Sequence, residues 1–300
     1  MRLLAHAKIN LALRVLGRQA DGYHAVETLF LGLALADELE LEIEAAGPGI
    51  DLEVVGEHPV PADETNLCAR AAAAWYAAAG QSPACSIRLE KRIPVAAGLG
   101  GGSADAAAVL RGLNSLHEDP LGEAELYRVA GEIGSDVPYF VSGVAFALGW
   151  ERGRRLLPLR APARRPVVLL VPDFGVSAAA AYAWWSADDA AAGRDGPGAA
   201  ALPDVAALGD WSALERLAGN DLAAPVERRH PVLATAVDAL ARSGAATSLL
   251  CGSGSCIAGI YRSVGEHAEA LETLRDGPGI PAGWGVRETW TLGPGPVAAD

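Results

Sequence analysis

Lysine is nearly absent from this chain: among 24 basic residues, only Lys8 and Lys91 are lysines. Arginine therefore serves almost wherever a cation is needed. A position that keeps lysine is a candidate for a site that needs a compact ammonium beside a phosphate or a hydroxyl. The alternative is that codon bias leaves a few lysines by chance, and composition alone does not separate the two.

Long apolar runs, paired cysteines and histidine clusters are missing as well. No stretch of about 18 uncharged apolar residues occurs, and His6, Lys8 and Asn10 interrupt the N-terminal segment. We therefore expect neither a membrane span nor a signal peptide, no membrane partner, and a cytoplasmic location. The six histidines form no HExxH motif, and no CxxC pair occurs among Cys68, Cys85, Cys251 and Cys256. This pattern predicts no disulfide framework and no metal site.

Positive charge is also in deficit, with a formal net charge of −13 and a sequence pI near 4.9. Nucleic-acid phosphates are bound through basic surface, so a nucleic-acid partner is not expected. A small anionic ligand in a local basic pocket stays possible. With 300 residues and 51% hydrophobic composition, the chain can form two compact domains.

Hydrophobic periodicity and turn residues divide the chain into a β-rich first part and an alternating second part. In the first part the pattern predicts strands at 3–16, 27–35, 38–45, 50–55, 86–93, 139–141 and 144–148, and helices at 66–79, 103–116 and 121–130. In the second part it predicts strands at 167–171, 245–250, 256–261 and 286–291, helices after 177 and at 231–242 and 265–275, and a mobile loop at 187–203. The arginines at 152–165 are interpreted as a solvated hairpin and an interdomain connection. The chain is predicted to be an α+β protein with domains 1–160 and 161–300.

A glycine-rich stretch precedes the alanine-rich helix predicted from Ser103, and it reads Pro94, Val95, Ala96, Ala97, Gly98, Leu99, Gly100, Gly101, Gly102 and Ser103. Glycines let backbone N–H groups approach a ligand closely, and the start of a helix favours an anion. The stretch is therefore a candidate phosphate-binding loop, with a flexible turn as the alternative. Neither GxxxxGK[ST] nor GxGxxG matches it, and no GxSxG motif occurs.

The spacing Pro94-x3-Gly98-Leu99-Gly100-x2-Ser103 resembles the glycine-loop signature of the GHMP small-molecule kinases. Four further segments resemble motifs of the family branch that phosphorylates a sugar alcohol linked to cytidine diphosphate, in the same order and over essentially the whole chain. They are Ala7-Lys8-Ile9-Asn10-Leu11, Asp21-Gly22-Tyr23-His24, Gly134-Ser135-Asp136-Val137-Pro138 and Gly252-Ser253-Gly254-Ser255.

This resemblance implies a two-domain GHMP kinase fold. The N-terminal domain would be a ribosomal-S5-like, β-rich α/β domain and the C-terminal domain a ferredoxin-like α/β sandwich, with the active site in the cleft between them. The loop at 94–103 would wrap the phosphates of ATP, with Mg²⁺ held mainly by those phosphates and Lys91 near the ATP entrance. Phosphoryl transfer depends mainly on positioning and charge stabilisation.

The resemblance also implies roles for single side chains. Asp136 would accept the proton of the substrate hydroxyl, and Lys8 would keep that carboxylate charged. Tyr23 would stack on the cytosine, His24 would hydrogen-bond to it, and Asn10 would lie near the hydroxyls of the sugar alcohol. The substrate would be a small molecule with a cytidine diphosphate group, and the protein a monomer or weak homodimer.

Three points stay open at this stage. Tyr182 and Trp184 are both candidates to stack opposite Tyr23, and the register favours Trp184. Asp105 either helps to hold substrate or metal or interacts with the helix dipole, which is worth about 0.3–1 kcal/mol. Ser177 is followed by alanine where the family often has a threonine, so a hydroxyl contact is missing there. Two alternative functions remain: a homoserine- or mevalonate-type kinase of the same family, and a catalytically silent nucleotide-binding protein on this fold.

Overall fold

The computed structural model describes residues 1–44, 49–191, 208–276 and 280–295. Within these ranges the strands are β1 (Arg2–Arg18), β2 (His24–Ile43), β3 (Gly49–Gly56), β4 (Ala84–Lys91), β5 (Phe146–Glu151), β6 (Arg155–Pro158), β7 (Pro166–Val171), β8 (Gly219–Asn220), β9 (Thr247–Leu250), β10 (Ile257–Ile260) and β11 (Gly285–Trp290). The helices are α1 (Leu67–Ala79), α2 (Gly101–Leu116), α3 (Glu123–Ile133), α4 (Val137–Val141), α5 (Ala178–Ala191), α6 (Trp211–Leu217), α7 (Ala223–Arg229), α8 (Pro231–Arg242) and α9 (Val264–Asp276).

The first sheet is organised by the long antiparallel pair β1 and β2, in the order β3-β4-β2-β1-β8. Along one edge β2 pairs with β4 near its end and with β5 nearer its start, and β6 extends β5. The sequence pattern predicts two strands, 27–35 and 38–45, where the structure has one. The chain runs on because Asp37, which has the character of a turn residue, is buried and accepts hydrogen bonds from the backbone N–H groups of Arg92 and Ile93.

Helices α1, α2 and α3 cover part of this sheet, and their small apolar residues form a core with Leu3, Leu39 and Leu41. The prediction of a strand at 139–141 is wrong, because this segment is the short helix α4. Pro138 lies in its first turn, where a missing N–H costs no intrahelical hydrogen bond. The glycine loop ends where α2 begins, and α4 begins directly after Asp136.

The second sheet has the order β11-β7-β10-β9, with each neighbouring pair antiparallel. Helices α8 and α9 pack against it, and apolar residues of both form a core with Leu170 and Ile257. The helix predicted at 231–242 is confirmed with those bounds. Of the loop predicted at 187–203, residues 187–191 belong to α5, and the rest lies outside the described residues.

A continuous core joins the two sheets. Ile9 and Leu11 of β1 pack in one cluster with Val167 and Leu169 of β7. In addition, β8 follows the second sheet's β7 along the chain but pairs in parallel with residues 12–13 of β1. The predicted boundary at residue 160 stays a prediction, and it falls between the end of β6 and the start of β7. Among the described helices, none combines the length and the apolar character needed to cross a bilayer.

Candidate active site

A cleft of about 910 Å³ lies between the two parts of the molecule. Its walls are the β1–β2 pair, the glycine loop, the segment before α4, the start of α5 and the Gly252-Ser253 turn. Its lining residues include eight of the eighteen sequence-predicted ones, namely Lys8, Asn10, Tyr23, His24, Gly98, Gly100, Ser103 and Asp136. The structure therefore brings the separate motifs together around one cavity.

Gly98, Gly100 and Ser103 of the glycine loop line this cleft. Gly98 and Gly100 have φ angles of 76° and 75°, and Gly100 is the N-cap of α2, with no side chain bonded to the helix start. The first N–H groups of a helix have no intrahelical partner, and they carry the positive end of its dipole. This end of the cleft can therefore bind an anion such as a phosphate.

Gly98 also lies against the second small-residue turn. A Cβ atom built at Gly98 would overlap the carbonyl oxygen of Cys251 and lie 3.0 Å from the backbone nitrogen of Gly254. The two turns also meet beside Gly98, where Cys256 N donates to Ala97 O at 3.2 Å. The two turns are thus packed backbone to backbone, and only glycine fits between them.

We expect Gly98→Ala to be more damaging than Gly80→Ala, although both glycines have a positive φ. Gly80, at 67°, caps α1 and has open space around its Cβ position, so it measures the cost of the backbone conformation alone. The clash with Cys251 should lower the free energy of unfolding by about 1–3 kcal/mol beyond that cost. Urea unfolding of both variants measures the difference. Equal losses would show that the two turns separate freely.

Two register shifts in the β1–β2 ladder bracket Lys8 and Asn10. Leu3 packs with the helices of the first core, whereas Ile9 packs against the second sheet. The two are six positions apart and would share one face of a regular strand. Between the pairs His6–Ala36 and Lys8–Gly32, β1 advances by two residues and β2 by four, so the regular alternation of faces is interrupted here. The shift between His6 and Lys8 therefore turns Lys8 and Asn10 towards the cleft while Ile9 enters the core between the sheets.

Lys8 is the centre of a compact polar group. Its ammonium donates to Asn10 Oδ1 at 2.6 Å and to Gly98 O at 3.1 Å, and it lies 3.2 Å from Asp136 Oδ2. The Lys8 side chain is 4% exposed and that of Asp136 31%. Because Asp136 makes no capping bond to α4, its carboxylate faces the cleft with one ammonium beside it.

Asn10 owes its orientation to a residue that sequence reasoning missed. Its Nδ2 donates to Thr28 Oγ1 at 2.8 Å, and the Thr28 hydroxyl donates in turn to Ala12 O at 2.8 Å. The amide oxygen of Asn10 is therefore directed at Lys8. A threonine inside a strand gives no local signal of this role, since only the pairing of β1 with β2 places it there.

The other end of the cleft is aromatic. The ring of His24 stacks on Tyr182, with centroids 5.0 Å apart and planes at 20°. The prediction that Trp184 rather than Tyr182 faces Tyr23 is not supported: Tyr182 lines the cleft, whereas Trp184 packs beside His230, with Arg229 over its ring. The reason is helical periodicity, because residues two apart on α5 point in different directions. Burial, reinforced by the charge of Asp136, raises the pKa of Tyr182, so this phenol is neutral.

Arg152 is a second residue that sequence reasoning missed. Its guanidinium lies 4.0 Å from the centroid of the Tyr23 ring and forms an ion pair with Asp21. Tyr23 itself is 58% exposed, so this stacking and ion pairing restrain a ring that the solvent would leave mobile. Local sequence could not show it, since Arg152 approaches the ring only through the pairing of β2 with β5.

Lys91 and Asp105 lie below the glycine loop and do not line the cleft. The Lys91 ammonium donates to Asp105 Oδ2 at 2.7 Å and to Asp37, and all three side chains are at least 96% buried. The predictions that Lys91 lies at the ATP entrance and that Asp105 contacts substrate therefore do not agree with this structure. Both carboxylates hold the ammonium in the core, and a Cβ built at Gly101 would lie 3.2 Å from it.

The two carboxyl groups of this buried triad have unequal hydrogen-bonding environments. Burial raises the pKa of Asp105 well above its ordinary value, Lys91 opposes this, and Asp37 adds to it. Burial lowers the pKa of Lys91, but the two carboxylates outweigh it, so the net direction is upward. Asp37 has three donors, whereas Asp105 Oδ1 has no hydrogen-bond partner in the described part of the chain. Burial therefore disfavours the charged form of Asp105 within this triad.

Ser177 serves the start of α5, where its hydroxyl accepts a hydrogen bond from Ala180 N at 3.2 Å. Within the described ranges, no group of three or more His, Cys, Asp or Glu side chains is placed to hold a metal ion.

Comparisons with known proteins match both parts of the chain. The model of the GHMP kinases N terminal domain matches residues 66–144, and that of the GHMP kinases C terminal domain matches residues 201–277. A 4-diphosphocytidyl-2-C-methyl-D-erythritol kinase from Moorella thermoacetica is 41% identical over 271 residues, which cover 90% of this chain and 93% of the relative. One from Synechococcus sp. (strain JA-3-3Ab) is 41% identical over 91% of this chain and 88% of its own length.

Solved structures are similar to this chain in fold as well. The crystal structure of a 4-(cytidine 5'-diphospho)-2C-methyl-D-erythritol kinase superposes with a TM-score of 0.78 at 36% identity, covering 98% of this chain and all of the other. Mevalonate kinase from L. major, in complex with R-mevalonate, gives a TM-score of 0.68 at 17% identity over 99% of this chain and 97% of its own, a likeness of fold alone.

Proposed function

We propose that this chain, which belongs to the GHMP kinases and within them to the 4-diphosphocytidyl-2-C-methyl-D-erythritol kinase family, uses the cleft to phosphorylate the 2-hydroxyl of that compound with ATP. The chain is an ATP-dependent small-molecule kinase of the non-mevalonate isoprenoid pathway, and the predicted α+β, two-domain GHMP kinase fold is confirmed. One observation carries the site assignment: the Lys8–Asp136 pair lies in the same cleft as the glycine loop and the His24–Tyr182 stack.

The ATP phosphates bind at the start of α2 in this proposal. The loop from Pro94 to Ser103 supplies backbone N–H groups, and Ser103 adds a hydroxyl that lines the cleft. Mg²⁺ enters with ATP and is held mainly by its phosphates, which suits an ion that binds proteins through few side chains. When bound, it neutralises phosphate charge.

Proton transfer in this proposal belongs to Asp136. The substrate hydroxyl would lie against this carboxylate, with the γ-phosphate at the glycine loop. Asp136 accepts its proton as the new O–P bond forms and the bond between the γ-phosphorus and the oxygen that leaves with ADP breaks. Lys8, held by Asn10 and by the carbonyl of Gly98, keeps positive charge beside the carboxylate and the transferring oxygens. Asn10 thus positions Lys8, and it lines the cleft where the sugar-alcohol hydroxyls are expected.

The cytidine group occupies the aromatic end. Tyr23 stacks on the base from the β1–β2 side, and Tyr182 faces the same part of the cleft from α5. The pKa of His24 is lowered by burial and by the nearby Arg18, so its ring is neutral at pH 7 and can hydrogen-bond to the base. We further propose that the enzyme is cytoplasmic, which agrees with its four buried free thiols, and that it is a monomer or weak homodimer.

A substrate panel tests the proposal against its alternatives. Purified protein with ATP and Mg²⁺ should release ADP with 4-diphosphocytidyl-2-C-methyl-D-erythritol and not with homoserine or mevalonate, in a coupled ADP assay. The aromatic end favours this outcome, because a smaller alcohol has no base to fill it. Comparable turnover of homoserine or mevalonate would contradict the substrate assignment. Absence of turnover with every alcohol, together with ATP binding, would support a silent nucleotide-binding protein.

A further inference from the structure

The small-residue turn at 252–255 reaches the lysine end of the cleft. Gly252 and Ser253 line the cavity, and a Cβ atom built at Gly252 would lie 3.1 Å from Asn10 Oδ1 and 3.3 Å from Lys8 Nζ. The turn connects β9 to β10 of the second sheet. The backbone of that connection is therefore packed against the ammonium group at the centre of the site.

The turn has a permissive backbone. Gly252 and Gly254 have φ angles of 51° and 85°, a region that glycine reaches without steric cost. The same freedom gives the turn other conformations unless neighbouring groups restrain it. At its far end the Ser255 hydroxyl donates to Phe174 O. The end that lies against the ammonium needs a restraint of its own.

The Asn220 side chain supplies that restraint. Its Nδ2 donates to Gly252 O at 2.6 Å and to Leu250 O at 2.9 Å, and its Oδ1 accepts a hydrogen bond from Leu222 N at 2.9 Å. Two carbonyl acceptors on one side and an N–H donor on the other define which end of the amide is the nitrogen. Unlike a hydroxyl, the amide group cannot exchange its donor and acceptor roles, so these three bonds hold it in one orientation.

Asn220 is itself anchored to the strand that carries Lys8. It lies on β8 and pairs in parallel with Leu13 of β1, and the N–H of the next residue, Asp221, donates to Leu13 O at 3.0 Å. Asn220 is not among the residues that line the cleft. It therefore joins β1 to the turn at Gly252 from outside the cavity and leaves the space for the ligands free.

We propose that Asn220 is a positioning residue for phosphoryl transfer, which ties the turn at Gly252 to β1 so that the turn keeps the Lys8 ammonium beside the transferring oxygens. The proposal rests on the proposed function, since it concerns the geometry of that reaction. Charge stabilisation depends on exact placement, and a displacement of about 1 Å can cost about 10²-fold in rate. The effect falls on the chemical step, because Asn220 acts through the turn and does not itself line the cleft.

Steady-state kinetics of Asn220→Asp test the proposal, because this variant loses the two N–H donors and keeps an acceptor for Leu222 N. We expect kcat with ATP and the cytidine substrate to fall about 10²-fold, with both KM values within about threefold of the wild type. Asn220→Ala, which introduces no charge, should show the same split. A loss confined to KM, or a kcat within about threefold of the wild type in both variants, would overturn the proposal.

Asp221→Ala is the matched control for folding. Asp221 accepts a hydrogen bond from Val15 N at 2.9 Å and pairs with Arg14, so it docks the same segment on β1 through contacts that do not involve the turn. The variant should lower the midpoint of urea unfolding at least as much as Asn220→Asp does, while kcat stays within about twofold of the wild type. An equal fall in kcat would show that loosening β8 is sufficient, which would overturn a specific role for Asn220.

Amide hydrogen exchange without substrate separates this proposal from the proposed function. Gly254 N donates to Cys251 O at 2.7 Å within the turn, and Ala258, in the central strand β10, serves as the reference for global opening. In Asn220→Asp the Gly254 amide should exchange about tenfold faster relative to that of Ala258, as the loss of one hydrogen bond predicts. Unchanged relative exchange would overturn the proposal. Wild-type protein that does not turn over the cytidine substrate would contradict the proposed function instead, and the exchange rates would then decide by themselves whether Asn220 holds the turn.

Discussion

Asp136→Asn should lower kcat by about 10³-fold while ATP binding stays close to that of the wild type, because general-base catalysis contributes about 10²–10⁴-fold. The amide keeps the size of the carboxylate but cannot accept the proton of the substrate hydroxyl. The substitution should not disturb folding, since Asp136 is partly exposed and Lys8 retains its bonds to Asn10 and Gly98. Single-turnover kinetics measure the chemical step, and calorimetric titration with ATP measures binding.

Asp51→Asn is the matched control, because Asp51 is an exposed carboxylate on β3, away from the cleft. It should leave both measurements unchanged. If Asp136→Asn keeps activity within about tenfold of the wild type, Asp136 is not the base, and its role reduces to holding charge beside Lys8.

Lys91→Met should lower the free energy of unfolding by about 3–5 kcal/mol, the usual cost of removing one partner from a buried ion pair. The substitution leaves Asp37 in the core with two backbone donors and no counter-charge. It also removes the only hydrogen-bond donor to Asp105 that the described residues provide, next to the first turn of α2. Urea unfolding followed by tryptophan fluorescence measures the loss.

Asp105→Asn is the comparison that tests the charge assignment within the triad. Burial raises the pKa of Asp105 and so favours its neutral form. If Asp105 is neutral, the amide is close to isosteric and should cost only about 1 kcal/mol. If Lys91→Met instead unfolds like the wild type but has a raised KM for ATP, the result would support direct contact between Lys91 and the nucleotide. A loss for Asp105→Asn as large as that for Lys91→Met would show that Asp105 is ionised.

Local sequence was sufficient to predict helices and strands whose sequence patterns agree over many residues. The helix at 231–242 has a proline in its first turn and a clear apolar face, and its bounds are as predicted. The long β1 strand follows from alternation, although its register shifts do not, because an extra residue shows only when the partner strand is present. The α4 segment shows where local sequence fails to predict the type of element, since three apolar residues fit a strand or a helix equally well.

The candidate site also has features that local sequence predicts and features that only the fold decides. The motifs around Lys8, Tyr23, Gly98 and Asp136 were visible as short patterns, and the fold gathers them into one cleft. The choice between Tyr182 and Trp184 depended on the rotation of α5 about its axis. The sequence pattern around α5 does not define that rotation, because aromatic residues occur on several faces of the helix.

The sequence by itself determined the family and the kind of chemistry and predicted a phosphate-binding loop, because each depends on residue types at short and fixed spacing. The tertiary structure alone decided which polar side chains face the cleft and which are buried beneath it. Lys8 and Lys91 show why: both are rare lysines next to motif residues, and both are almost fully buried. The register shift between β1 and β2 turns Lys8 to Asp136 in the cleft, whereas Asp37 and Asp105 hold Lys91 in the core. The partners that make this difference lie 14 to 128 positions away along the chain, where no local pattern reaches.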